Sequence, residues 1–214
     1  MSPRPGRPAG EGAVERPIVV LLGGVPGSGK TALGARLTDR FQLPILGNDL
    51  LKAGLVITRA ARDRSQLRPR AAGGDAAVDA ELYEAGFAAL REVTDVLVDR
   101  GVSFGLEQMW SRRHGRSQLA PLLDRCRAVL LHCSVARETA ISRVRTRAAA
   151  SGRLCYADEN LLRWITGPDF PWEDHEQPLD AAVPTLVVDT SDGYDPGIEE
   201  IERFVWEETL GSGE

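Results

Sequence analysis

The sequence is poor in the residues that build disulfide scaffolds, zinc sites and membrane spans. Its three cysteines (Cys126, Cys133, Cys155) are too few for a disulfide framework and form no CxxC pair. Its three histidines are scattered. The longest apolar run is Ile18–Leu22, far short of the roughly 20 residues that cross a bilayer. No apolar stretch of signal-peptide type opens the chain, so a cytoplasmic protein without membrane contact is expected. Lysine is almost missing too: Lys30 and Lys52 are the only two among 26 basic residues. Arginine carries nearly all the positive charge, so the placement of those two lysines is informative.

What is present fits one soluble domain. The chain has 214 residues, 43% hydrophobic and 27% charged, with a net charge of −5. The charge is uneven. From Asp169 onward there are 14 acids and one base, against 25 bases and 17 acids before it. A nucleic-acid binder is usually basic throughout, whereas this distribution suits local anion sites. Residues 1–16, rich in Pro, Gly and Arg, read as a mobile tail ahead of a single domain over 17–210.

Periodicity then orders the domain. Ile18–Leu22 is a continuous β-branched and leucine run, as in a strand buried on both faces. Leu33, Leu37 and Phe41 follow at helical spacing, and Leu43–Leu46 reads as a short second strand. Asp75–Arg100 predicts a long helix with Val78, Leu82, Leu90, Val93 and Leu97 inward and Gly101 as its stop. Val102–Leu106, Ala128–Cys133 and Thr185–Val188 read as strands. Leu119–Leu123, a segment through Arg147, and the stretch bearing Ile198, Ile201 and Val205 read as helices. Strands alternating with helices predict an α/β fold with a parallel sheet covered on both sides.

Between the first strand and the first helix lies Gly24-Val25-Pro26-Gly27-Ser28-Gly29-Lys30-Thr31, a full GxxxxGK[ST] phosphate loop. With this composition, about 0.002 chance matches are expected per chain. Glycines let backbone N–H groups converge on phosphate oxygens, and the helix N-terminus adds partial positive charge. Lys30 suits the β and γ phosphates, and Thr31 offers a hydroxyl to Mg²⁺. The segment Gly27–Ala32 also fits the looser dinucleotide pattern GxGxx[GA], with Asp49 near the ribose position. That pattern leaves the rare lysine and the threonine unexplained.

Three further groups stand out. Asp49 follows the second strand, where an acid facing the crevice accepts a proton from an attacking hydroxyl; the plainer role is a helix cap. Lys52 lies one turn on, placed to hold an anionic group. Glu107 ends the third strand, suited to Mg²⁺ through water or to the acceptor. Arginines cluster at Arg59, Arg62, Arg64, Arg68 and Arg70, at Arg112, Arg113 and Arg116, and from Arg137 to Arg153. Of these, Arg112 is a candidate for the acceptor. Arg143 and Arg147, at i and i+4, share a helix face and are placed to neutralise a transferring phosphoryl group, with Ser151 and Gly152 as a flexible exit. The segment Asp169–His175 mixes acids with aromatics expected to be exposed, lining an acceptor pocket or capping the sheet.

Taken together these segments resemble the small P-loop kinase-like ATPases, a group that includes chloramphenicol phosphotransferase, zeta-toxin-like kinases, gluconate kinase and the polynucleotide 5′-hydroxyl kinase domain. The resemblance runs from about Pro17 to Phe204. It rests on GGVPGSGKT, LPILGNDLLKAGL, GVSFGLEQMWSR, RETAISRVRTRAAASGR followed by YADENLL, and VPTLVVDTSDG. It implies a three-layer α/β/α fold with a five-stranded parallel core and a small helical lid around 137–160. It further implies ATP or GTP with Mg²⁺ as cofactors, Asp49 as the base, Lys52 as the basic residue beside it, Arg143 and Arg147 as lid arginines, and Thr190 near the nucleotide base. Glu107 departs from the aspartate of many relatives. The activity implied is transfer of a γ-phosphoryl group to a hydroxyl of a small molecule, an antibiotic or nucleoside-like compound being one class. A nucleotide-sugar kinase, a polynucleotide 5′-hydroxyl kinase and a nucleotide-dependent switch are the alternatives.

Overall fold

A computed structural model of the chain describes residues 16–62, 76–150 and 156–211. The expected tail up to residue 15, the arginines at 64, 68, 70 and 153, the Ser151–Gly152 exit and Cys155 lie outside the described residues, as do the side chains of Arg59, Arg62 and Val78.

Five parallel strands form one sheet in the order β2-β3-β1-β4-β5: β1 Ile18–Gly23, β2 Ile45–Gly47, β3 Phe104–Glu107, β4 Arg127–Ser134 and β5 Thr185–Asp189. The helices α1 Lys30–Phe41, α2 Asn48–Arg62, α3 Ala76–Asp99, α4 Gly115–Leu123, α5 Arg137–Ala149, α6 Tyr156–Thr166, α7 Trp172–Glu176 and α8 Ile198–Leu210 complete the described elements. Every expected strand is present, with its ends shifted by no more than two residues.

The central strand shows why three layers form. Its side chains alternate between faces. Val19 and Leu21 join Leu90 and Val98 of α3 and Leu119 of α4 in one core. Val20 and Leu22 join Leu33 and Leu37 of α1 and Ile201 and Val205 of α8 in the other. A strand buried on both faces has no polar face to show, hence its unbroken apolar run. Leu21 is fully buried, and truncation to alanine costs about 2–5 kcal/mol at such a site. A third, smaller core beneath α5 and α6 gathers Val25, Ala140, Val144, Ile165, Phe170 and Trp172.

Three expectations need correction. Val93 does not face inward; it is 39% exposed. The buried stripe of α3 runs Leu82, Gly86, Leu90, Thr94, so its fourth member is polar. The Thr94 hydroxyl donates to Arg91 O at 2.9 Å, which satisfies it locally and permits burial. Asp49 is no cap, because α2 begins at Asn48 and Asp49 lies within its first turn. The aromatics of Asp169–His175 are not exposed: Phe170 and Trp172 are buried and the segment carries α7. A five-residue helix with two inward rings has too little sequence to show a period.

No helix among the described residues is long and apolar enough to cross a membrane.

Candidate active site

Strand register assembles the site. Glu107 lies level with Leu22 of β1 on one side and Gly47 of β2 on the other. The turns after β1, β2 and β3 therefore leave the sheet side by side. On the far side Gly23 is level with His132, and Ser134 with Asp189. The chain runs to β3 and β2 on one side of β1 and to β4 and β5 on the other, so a crevice opens at the carboxyl ends of the strands around β1.

The phosphate loop fills the centre of that crevice. Two of its glycines are required by close approach. A Cβ on Gly24 would lie 2.3 Å from Cys133 O, and one on Gly27 would lie 2.3 Å from Ala140 O of α5, where φ is +81°. Lys30 is 8% exposed, and its Nζ donates to Gly24 O and Val25 O, each at 2.9 Å. An ammonium has three donors, so one is left for a ligand. Burial lowers the Lys30 pKa from its ordinary 10.5, against the opposing pull of Glu107. Beside it, the Thr31 hydroxyl donates to Glu107 Oε1 at 2.6 Å. A hydroxyl and a carboxylate so placed are hard oxygen donors, the set that Mg²⁺ takes alongside phosphate oxygens.

Asp49 and Lys52 stand on the β2 side. Lys52 Nζ is 2.6 Å from Asp49 Oδ1, with the Asp49 side chain 90% exposed. Lys52 also lies over the Tyr83 ring of α3, 5.6 Å from its centroid. Tyr83 accepts a hydrogen bond at its hydroxyl from Gln108 Nε2 at 3.1 Å, which ties α3 to the end of β3. Burial holds the Tyr83 phenol above its ordinary pKa. Gly86 lets α3 close on α2: a Cβ there would meet Asn48 Oδ1 at 2.4 Å. Asn48 and Gln108 had no signal in the sequence beyond standing next to Asp49 and Glu107, and Tyr83 had none. Tyr83 is brought in by helix packing across a long stretch of chain.

Arg143 and Arg147 differ in their anchors. Arg143 donates to Thr190 O at 2.6 Å, and its other terminal nitrogen lies 3.4 Å from Gly27 O and 3.3 Å from Thr190 Oγ1. Thr190 donates its own hydroxyl to Ser28 O at 2.7 Å. Phosphate loop, α5 and the loop after β5 are thus stitched together around one guanidinium. Arg147 reaches Asp158 Oδ1 of α6 from Nε at 2.8 Å and from a terminal nitrogen at 2.7 Å. Its charge is close enough to oppose protonation of Lys30. Arg112 stands apart from these groups. Its side chain is exposed, and its backbone N–H donates to Asp174 O of α7.

Known proteins share this fold across nearly the whole chain. A provisionally assigned kinase from Chloroflexus aurantiacus J-10-fl superposes with a TM-score of 0.66 at 20% identity, covering 94% of this chain and 100% of the other. A sugar kinase from Janibacter sp. HTCC2649 gives 0.53 at 18% identity, covering 89% and 94%. A gluconokinase from Sinorhizobium meliloti 1021 gives 0.52 at 18% identity, covering 93% and 96%. At such identities the likeness is one of fold. No curated protein matches the sequence. The sequence model of the AAA domain family AAA_33 matches residues 19–166, from β1 to the end of α6. With its phosphate loop, parallel sheet and helical pair α5–α6, the chain belongs to the AAA_33 family of AAA domains and has a P-loop kinase-like fold.

Proposed function

We propose that the protein is a magnesium- and nucleoside-triphosphate-dependent kinase that phosphorylates a hydroxyl of a small molecule. The observation that carries this reading is the shared strand register that sets Asp49, Glu107 and the Lys30 loop on three adjacent strand ends. A loop and lysine alone would serve a switch. A carboxylate with a lysine at 2.6 Å, exposed beside the loop, supplies a base for an acceptor as well.

The roles follow from the chemistry of each group. Loop amides and the free donor of Lys30 hold the β and γ phosphates. Thr31 and Glu107 are the residues that would hold Mg²⁺, which supplies charge neutralisation to the phosphates when bound. The acceptor oxygen attacks the γ-phosphorus. A new O–P bond forms, the bridging P–O bond to the β-phosphate breaks, and the hydroxyl proton passes to the Asp49 carboxylate. Nucleoside diphosphate leaves with the electron pair of the broken bond. Arg147, held by Asp158, and Arg143, held by Thr190, bring positive charge to the transferring group. Lys52, 2.6 Å away, keeps the Asp49 carboxylate in place. Antibiotic and nucleoside-like alcohols are the first acceptors to test, and a cytoplasmic setting suits a cofactor such as ATP or GTP.

The experiment is a screen of hydroxyl compounds for acceptor-dependent consumption of ATP and GTP, repeated with Asp49→Ala. The reading expects transfer that falls by about 10²-fold or more in the variant while nucleotide still binds. Nucleotide binding with no productive acceptor, or transfer unchanged by the substitution, would refute it.

A further inference from the structure

A cavity of about 620 Å³ lies between α5, the end of α6, the segment leading into α7 and Arg113 after β3. It is separate from the crevice. From α5 it takes Arg137, Ile141 and Arg145, spaced i, i+4, i+8 along one stripe. The residues of α5 that face the phosphate loop and the crevice (Ala140, Arg143, Val144, Arg147) lie roughly 110° away around the helix at about 100° per residue. None of the groups assigned to phosphoryl transfer lines it.

The cavity has an aromatic floor and a cationic rim. Phe170 meets Trp172 edge-on at 4.8 Å between centroids, and Trp164 meets Phe170 in the same way at 4.8 Å. Ile165 and Ile141 complete the apolar wall. On the rim, Arg137 lies 4.8 Å from the centre of the Trp172 ring and pairs with Glu176 at 2.9 Å. Arg113 is 81% exposed and only 3.7 Å from Asp174, whose oxygens already accept from the Ser111 hydroxyl and the Arg113 backbone N–H. Arg145 is exposed and has no hydrogen bond or ion pair among the described residues. Two guanidinium groups thus stand over an apolar floor with donors to spare. Glu173 and Asp174 on the same rim would repel a polyanion such as a triphosphate.

We propose that this cavity is a second binding site, for an amphipathic aromatic monoanion whose ring lies against Phe170 and Trp172 and whose carboxylate is held by Arg113 and Arg145. Such a ligand spans α5 and α6 on one side and the α7 segment and Arg113 on the other. It would therefore bind where the arginine-bearing helix meets the rest of the domain. The proposal does not depend on the kinase reading.

The test uses 4-(trifluoromethyl)benzoate as probe, followed by fluorine NMR on the full chain. The site expects saturable binding at one probe per chain, unchanged by Asp49→Ala and by saturating magnesium–ADP. Arg145→Glu and Arg113→Glu, both at exposed positions, should each weaken it at least about tenfold. The neutral 4-(trifluoromethyl)benzamide should bind at least about tenfold more weakly to the unaltered protein. Absence of saturable binding, equal affinity in both charge reversals, equal affinity for the amide, or displacement by magnesium–ADP would each overturn the proposal.

Discussion

Gly27→Ala separates two effects that glycine usually hides together. The chain has another glycine in a left-handed conformation, Gly193, with φ +86° against +81° at Gly27. An alanine at either position meets the same backbone strain, about 1–2 kcal/mol. The surroundings differ. Nothing lies within 4 Å of a Cβ on Gly193, whereas a Cβ on Gly27 falls 2.3 Å from Ala140 O. A carbon–oxygen contact needs about 3.2 Å, so α5 or the loop must yield by nearly 1 Å, adding about 1–3 kcal/mol of overpacking. For a domain of this size each kcal/mol lowers Tm by roughly 2–4 °C. Gly193→Ala should therefore cost roughly 2–8 °C, and Gly27→Ala roughly 4–20 °C in a thermal melt followed by circular dichroism. The shift also carries away the Arg143 contact with Gly27 O, now 3.4 Å. Calorimetry should then show magnesium–ATP affinity reduced at least tenfold in Gly27→Ala and unchanged in Gly193→Ala, on the order of one lost charge-assisted hydrogen bond. Equal melting losses, or unaltered nucleotide affinity in Gly27→Ala, would refute the claim that loop and α5 are in forced contact.

Lys30→Met should abolish measurable magnesium–ATP binding by calorimetry at submillimolar nucleotide. The same pair reports the buried charge. Because the folded pKa of Lys30 lies below 10.5, the native state releases its proton first as pH rises, and stability contributed by this site increases toward pH 10.5. Urea melts should show the wild type gaining on Lys30→Met between neutral pH and pH 10, and the opposite slope would contradict the burial assignment. Thr190→Val removes the hydroxyl that donates to the carbonyl of buried Ser28 and should cost about 1–3 kcal/mol in urea unfolding, with weaker nucleotide binding. Burial pushes the Cys133 thiol up to about 12 and Cys126 to about 11. Both should stay unmodified by iodoacetamide at pH 8 in peptide mass spectrometry and react once the chain is unfolded.

The elements that could be read from the chain are those whose period has enough residues to show. Ile18–Leu22, the Leu33/Leu37 face and the Ile201/Val205 face carry their burial in plain view, because both sides of a parallel sheet select apolar residues. Val93 lies off the inward stripe because that stripe passes through Gly86 and Thr94, which apolar patterning skips. The short α7 was hidden because one helical turn has no period.

At the site, residue order by itself determined the phosphate loop: backbone conformation, glycine spacing and the lysine that follows are all local, within eight consecutive positions. It also placed an acid after each of two strands. Only the tertiary structure decided that β3 sits between β2 and β1, so that Glu107 meets Thr31 and stands level with the turn bearing Asp49. The same holds for Tyr83 with Gln108, and for Arg143 with Thr190, partners separated by 25 and 47 positions. Such pairings arise from strand order and helix docking, which depend on the whole core at once and leave no mark on neighbouring residues.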